Sequence, residues 1–186
     1  MKNANPAPLG VFTFGLSSLV VGALFAGWFG SFNAGNMMGA AVTALSTGVI
    51  LHIVNFLMIR GNALADSAGF SMWGGAVFGY FGQVWIVLGL ILLNWKTGVG
   101  GPLAFLLLYT CLFSVGYLIY SFKLKIWSFV ILFIDVVIAA FCGFLGVFYG
   151  WAEGNMIAGY LFIFLMPLAL YIAFKEQLAE VWPKPS

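Results

Sequence analysis

Charged side chains are scarce in this chain: lysine, arginine, aspartate and glutamate make up 6% of its 186 residues, and there is one histidine. A soluble domain carries about 25% charged residues, so this composition leaves too few to cover a water-facing surface. Because 63% of the residues are hydrophobic, we predict an integral membrane protein whose partner is the lipid bilayer and not a nucleic acid.

Groups that perform catalysis are equally few. The sequence contains no HExxH or CxxC motif and no pair of carboxylates at helical spacing inside an apolar run, which are the patterns that hold metals or carry acid–base chemistry. Cys111 and Cys142 both lie inside apolar runs, where cysteine is typical of packing. We therefore predict that the protein is not an enzyme and uses no cofactor and no metal.

Short polar breaks divide the chain into six apolar runs. The opening residues lack the basic region and small-residue cleavage site of a secretory signal, so we expect the first run to remain as a membrane-spanning helix. Each run is close to the ~20 residues that a helix needs to cross a bilayer. The sequence thus predicts an all-α integral membrane protein, a single domain over residues 1–186 with six transmembrane helices at about 8–30, 36–59, 70–94, 102–121, 126–148 and 154–175.

The basic residues are distributed unequally between the two sides of these predicted helices. Lys96 falls on one side, and every other basic residue falls on the opposite side. Because lysine and arginine are enriched in cytoplasmic loops, we predict cytoplasmic N- and C-termini in a multi-pass protein of the cell inner membrane or plasma membrane. The residues predicted to be cytoplasmic are Lys2, Arg60, Lys123, Lys125, Lys175 and Lys184.

The segment Asn5-Pro6-Ala7-Pro8-Leu9-Gly10 directly precedes the first apolar run. Its asparagine can cap a helix, and both prolines suit the first turn, where no backbone donor is needed. The N–H groups of Ala7, Leu9 and Gly10 would then stay free at the positive end of the helix dipole, which suits a carboxylate. A rigid cap at the point of membrane entry is the simpler interpretation, and both stay open.

The first helix continues with the hydroxyl-bearing residues Thr13 and Ser17 on the same face as Gly10. Residues three and four apart lie above one another on a helix. A carboxylate that entered at the opening segment would next meet these hydroxyls and the ring of Phe14. Helix packing is the alternative role for each of them.

Two titratable residues lie inside apolar runs. A carboxylate such as Asp135 in the middle of a span is costly unless it is paired, solvated or protonated, so a functional role is the default hypothesis. Asp135 is therefore either a proton-titrating group beside a permeation path or a protonated packing residue. His52, with Asn55 one turn on, is either a hydrogen-bonded structural residue or a pH switch.

Small residues recur at every fourth position in three parts of the chain. This spacing lets helix backbones approach closely, so it predicts tight packing within the bundle and between copies of the chain. The positions are Gly22, Ala26 and Gly30, then Gly75 and Gly79, and finally Gly146, Gly150 and Gly154.

The opening segment, followed by Phe14-Gly15, resembles the NPAPLG signature of the acetate uptake transporters, the succinate–acetate permease family. Gly61-Asn62 followed by Phe70-Ser71-Met72-Trp73-Gly74-Gly75 is similar to that family's GN…FSSYGG pattern, and Tyr171, Ala173 and Leu178 fit the end of its last helix. The resemblance implies a homohexamer in which each protomer carries its own path for small monocarboxylates, with the opening segment beside that path.

The resemblance also implies an apolar constriction. The family's phenylalanine matches Phe14, its tyrosine position holds Trp73, and its leucine falls on Leu132 or Phe133. Replacement of tyrosine by tryptophan removes a hydroxyl that could touch the substrate. Asp135 does not belong to the family's pattern.

The sequence therefore predicts a channel or proton-linked transporter for acetate and other small monocarboxylates, with succinate as a further candidate substrate. Two alternatives are a channel for neutral solutes such as urea or amides, and a membrane partner that has kept the fold without transporting. The predicted substrate-binding residues are Asn5, Pro6, Ala7, Pro8, Leu9, Gly10, Thr13 and Ser17; the predicted constriction is Phe14, Trp73 and Leu132; and the candidate for proton coupling is Asp135.

Overall fold

Six α-helices make up the computed structural model, which describes residues 5–29, 34–63, 68–94 and 100–181. Each helix contains a stretch that is long and apolar enough to cross a membrane, and no strand occurs within these ranges. The predicted all-α architecture with six spans is confirmed, whereas the cytoplasmic location of the termini stays a prediction. The helices are α1 (Ala7–Phe25), α2 (Ala34–Ala63), α3 (Ala68–Leu93), α4 (Gly100–Lys123), α5 (Trp127–Tyr149) and α6 (Ala152–Val181).

Helix α1 ends at Phe25, short of the boundary near residue 30 that hydropathy predicts. Gly27 has a φ of 76°, a left-handed conformation that glycine adopts without steric cost. Its N–H donates to the carbonyl of Leu24 (3.1 Å), and the N–H of Trp28 donates to the carbonyl of Ala23 (2.9 Å). This is the hydrogen-bond pattern of a Schellman motif, so a local turn ends the helix although the apolar composition continues.

The helices pack mainly as three pairs: α1 with α6, α2 with α3, and α4 with α5. Glycines allow the closest approaches. A Cβ atom added at Gly22 of α1 would lie 2.7 Å from the carbonyl oxygen of Gly159 in α6, and one added at Gly48 of α2 would lie 2.8 Å from that of Gly82 in α3. Such distances are shorter than real Cβ contacts, so a larger residue would push these helices apart.

The predicted small-residue positions divide into two kinds. Those at helix–helix contacts are Gly22, Ala26, Gly75, Gly79, Gly146 and Gly154. Gly150 instead has open space around it and a φ of 69° at the C-cap of α5, so it serves a turn. Gly30 lies outside the described residues.

Large apolar side chains cover the outer faces of the bundle. Phe105 and Leu112 of α4, for example, are 62% and 65% exposed. Contiguous exposed apolar surface is typical of proteins that contact a membrane. The opposite faces of the helices surround an interior to which α1 contributes Val11, Phe14 and Val21, and the candidate site is built there.

Candidate functional site

Two small cavities follow one another along the inner face of α1. The first cavity has a volume of about 20 Å³ and begins at Val11, and the second has a volume of about 40 Å³ and extends to Phe25. By volume they hold about one and about three water molecules respectively. The first cavity is lined by Val11, Phe14, Leu51, Val77, Phe78, Phe81, Phe129, Leu132 and Phe133.

The second cavity also has an almost entirely apolar accessible wall, although three of the residues around it carry polar groups. Ser18 of α1, Trp85 of α3 and Thr110 of α4 all line it. Its apolar lining residues are Phe14, Val21, Phe25, Phe81, Val84, Leu88, Leu106, Leu107, Val136 and Phe162.

Phe14 and Phe81, which we call the aromatic pair, line both cavities and therefore stand at their boundary. Their ring centroids are 5.1 Å apart and the rings meet edge to face at 66°, a geometry that the aromatic quadrupole favours. Trp85 meets Phe14 at 6.0 Å and 78°, and Phe133 stacks against Phe81 at 6.2 Å. A solute that moves from one cavity to the other must displace these rings.

The predicted constriction residues are only partly brought together. Phe14 and Leu132 both line the first cavity, and so does Phe133, the alternative to Leu132. Trp73 belongs to α3, but its side chain lies outside the described residues.

Phe81 is the residue that sequence reasoning missed. It sits opposite Phe14, the position that the constriction needs. A helical spacing could have found it, because Trp73, Val77, Phe81 and Trp85 recur at every fourth position of α3 and so share one face. That signal is weak, since aromatic residues also occupy the other faces of this helix.

The opening segment forms the start of α1, and hydrogen bonds within the segment use two of its N–H groups. The Asn5 side chain accepts a hydrogen bond from the Ala7 N–H (3.0 Å), and the Gly10 N–H donates to the Pro6 carbonyl (3.3 Å). The N-cap position is Pro6, so Asn5 bonds the first N–H of the helix from one residue earlier than a capping asparagine would. Two of the three expected donors are therefore not free, which corrects that part of the prediction. Pro8 fits the second helical position, where its missing N–H costs nothing.

Gly10 has a packing role beside the first cavity. A Cβ atom added there would lie 2.6 Å from Cε1 of Phe78, which is one of the rings that line the cavity. The glycine therefore lets the Phe78 ring lie directly against the backbone of α1.

The hydroxyls predicted for substrate binding are used in helix packing. Thr13 donates to the carbonyl of Leu9 (2.8 Å), and the buried hydroxyls of Ser17 and Thr47 are hydrogen-bonded to each other between α1 and α2. Neither Thr13 nor Ser17 lines either of these two cavities. The hydroxyl residue of α1 that lines the second cavity is Ser18, one position further along.

Asp135 is buried in α5, with 7% of its surface exposed, and its Oδ2 atom has no hydrogen-bond partner among the described residues. Its neighbours Leu132 and Val136 line the first and second cavities, but Asp135 lines neither.

His52 belongs to α2, and its side chain faces α3. Its Nδ1 is 2.8 Å from the carbonyl oxygen of Gly48, and its ring packs against Gly82. This environment favours the structural interpretation of His52.

The comparisons with known proteins identify the fold. No protein-family model matches the chain, and no curated protein matches it. Among solved structures, the bacterial acetate channel SatP is similar, with a TM-score of 0.79 at 21% sequence identity over 97% of this chain and 96% of that channel. The two proteins therefore share one fold over almost their whole lengths.

Proposed function

We propose that this protein is a membrane channel for acetate and similar short carboxylic acids. The observation that carries the proposal is the pair of cavities that share Phe14 and Phe81 in their walls, inside a six-helix membrane fold. The shared fold supports it, since the similar solved structure is an acetate channel. Each cavity has the size of a few atoms, which limits the solute to a short chain.

The acid passes the aromatic pair in its neutral form. All nine side chains around the first cavity are hydrocarbon, and moving an unpaired carboxylate into such surroundings is far more costly than moving a neutral group. The methyl end of acetic acid suits the same walls. Transport is therefore linked to protons because each acid molecule carries one.

The opening segment, Asn5 to Gly10, forms the mouth of the path. Two of its N–H groups are already bonded, which leaves Leu9 as the third predicted donor at the positive end of the α1 dipole. The dipole attracts carboxylates to the mouth, and Val11, in the next turn, begins the wall of the first cavity.

Asp135 gives its proton to an arriving carboxylate when the neutral acid is scarce in solution, and the resulting Asp135 carboxylate takes up a proton from water before the next transport cycle. It is the one carboxyl group that lies mid-helix among the described residues, and it is one residue from Val136 in the cavity wall.

We further propose a homohexamer in the cell inner membrane or plasma membrane, with Trp73 at the entrance side of the aromatic pair.

The test is radiolabelled acetate uptake into proteoliposomes over a series of pH values, with empty liposomes as the control. Uptake that requires the protein and that propionate inhibits supports the proposal. The initial rate is expected to fall as the pH rises above the pKa of the acid, because only the neutral form passes the aromatic pair. The fall reaches about tenfold for each pH unit when Asp135 is replaced by asparagine, and it is shallower in the wild type. Rapid urea flux without acetate uptake would instead indicate a channel for neutral solutes, and no flux of either would indicate a protein that does not transport.

A further inference from the structure

We propose that neighbouring copies of this chain meet through α3 of one protomer and α6 of the next, where the Gln83 amide donates to the backbone carbonyl of Ile163. This inference rests on the homohexamer that is part of the proposed function, and it names the contact that joins the protomers. It depends on two polar groups that the fold leaves on its outer surface at the same depth in the membrane.

Gln83 is an exposed amide in the middle of a membrane span. It lies at the midpoint of the span Gly74–Leu93, and its side chain is on the outer surface of the bundle. Lipid tails offer an amide neither a donor nor an acceptor, and glutamine in membrane helices typically bonds across to another helix. An exposed amide at this depth therefore indicates that a second protein surface covers it.

Pro167 creates a matching acceptor on α6. The proline is inside the helix and exposed, and it has no N–H to donate to the carbonyl four residues earlier, which is that of Ile163. Ile163 lies close to the midpoint of the span Ala152–Lys175. Proline in a membrane helix is tolerated where a neighbouring helix satisfies the freed backbone group, so this carbonyl calls for a donor from outside α6.

The outer face of α6 has a notch at this carbonyl. Its large side chains are all more than half exposed and recur at helical spacing: Tyr160, Phe164, Tyr171 and Phe174. Pro167 occupies the place between Phe164 and Tyr171 on the same face. Because the proline ring is small, a long side chain from another helix can reach the backbone between the two aromatic rings.

Two contacts through α1 show that the amide and the carbonyl lie at the same depth. The Phe14 ring is 5.1 Å from that of Phe81, two residues before the glutamine. A Cβ atom added at the next residue of α1, Gly15, would lie 3.4 Å from the Cα of Met166, next to the proline. Since α1 and α3 run in the same direction and a helix rises about 1.5 Å per residue, the two groups differ in depth by roughly 3 Å.

The two faces belong to different sides of the bundle. Helix α3 packs against α2 and α4, whereas α6 packs against α1 and α5. Copies related by rotation about the membrane normal keep equal depths, so the amide of one copy can meet the carbonyl of the next. A contact between unlike faces is heterologous and closes into a ring, which is the form that a homohexamer takes.

The first experiment is disulfide cross-linking in cell membranes, in a Cys111→Ala and Cys142→Ala background. Gln83→Cys combined with Phe164→Cys is expected to give a ladder of linked chains up to the complete ring, and each single variant is expected to stay a single chain. The matched control combines Gln83→Cys with Leu112→Cys, whose side chain is 65% exposed on α4. This control pair is expected to give no ladder.

A second measurement isolates the hydrogen bond. Gln83→Leu removes the amide at similar size, and Pro167→Ala restores the N–H that occupies the Ile163 carbonyl. At the detergent concentration that dissociates half of the wild-type assembly, native mass spectrometry is expected to show about fivefold less assembly in either variant, the effect of one interhelical hydrogen bond. The double variant is expected to add little, because both substitutions remove the same bond.

The fold of these variants is expected to be unaffected. Gln83 and Pro167 are both exposed, so neither substitution opens a cavity inside the bundle. Ser46→Ala, which removes an exposed hydroxyl on α2, is the control for loss of a polar group from another face and is expected to leave the assembly unchanged.

Three results would overturn this contact. A wild-type assembly with no ladder, and with unchanged stability in Gln83→Leu and Pro167→Ala, would remove the contact and leave the homohexamer intact. A ladder or linked pair in the Gln83→Cys single variant would mean that copies meet through like faces. A monomeric wild-type protein would mean that lipid covers both faces; it would remove the homohexamer but not the proposed acetate transport, which the uptake measurement tests separately.

Discussion

At the scale of single residues, the proposed function makes the aromatic pair the part of the path that selects among acids. Phe81→Ala joins the two cavities, so we expect butyrate uptake to rise by about tenfold relative to acetate, equivalent to ~1.4 kcal/mol off the barrier. The measurement is competitive uptake of the two labelled acids into proteoliposomes. The matched control is Phe105→Ala, which removes a ring that is 62% exposed outside the bundle. An unchanged ratio of butyrate to acetate uptake in Phe81→Ala would show that these rings do not limit passage.

Asp135 allows a second prediction at this scale. Asparagine matches the shape of the neutral acid but cannot release a proton. We expect Asp135→Asn to transport like the wild type in acidic buffer and to fall by about tenfold near neutral pH, where a proton must be supplied. Uptake measured across the pH range would show parallel profiles for both proteins if Asp135 were only a packing residue.

At the scale of helices, the contact between α1 and α6 is set by glycine. Gly22→Ala places a Cβ atom 2.7 Å from the Gly159 carbonyl oxygen, so the helices must separate. We expect the melting temperature of the detergent-solubilised protein to fall by about 5 °C, the usual consequence of overpacking. Gly116→Ala, at a helical position with nothing within 4 Å of the added atom, is expected to leave it unchanged or slightly raised.

Helix boundaries show what composition can and cannot specify. The six apolar runs predicted all six helices, because a bilayer requires about 20 apolar residues with every backbone group bonded internally. The end of α1 was less predictable. Its last turn depends on hydrogen bonds to Ala23 and Leu24 around Gly27, and these are independent of whether the flanking residues are apolar.

At the scale of the whole molecule, the orientation in the membrane is testable with a pair of exposed positions. Lys125 follows α4 and Glu153 begins α6, so the two lie on opposite sides of the predicted membrane. With cytoplasmic termini, Glu153→Cys is expected to react with an impermeant maleimide in intact cells, and Lys125→Cys only after the cells are opened. The reverse labelling pattern would overturn the predicted topology.

The proposed homohexamer would be tested separately, by native mass spectrometry of the protein in lipid.

The sequence by itself determined that this is a six-helix membrane protein, and its opening segment and Phe14 indicated one side of the proposed path. Hydropathy suffices for this because lipid exposure constrains each span separately. Only the tertiary structure decided that Ser18, and not Ser17, lines a cavity, and that Phe81 and Trp85 face Phe14. The physical reason is that a membrane helix is apolar on both its lipid-facing and its interior sides, so periodicity does not reveal which face turns inward; packing against the neighbouring helices does.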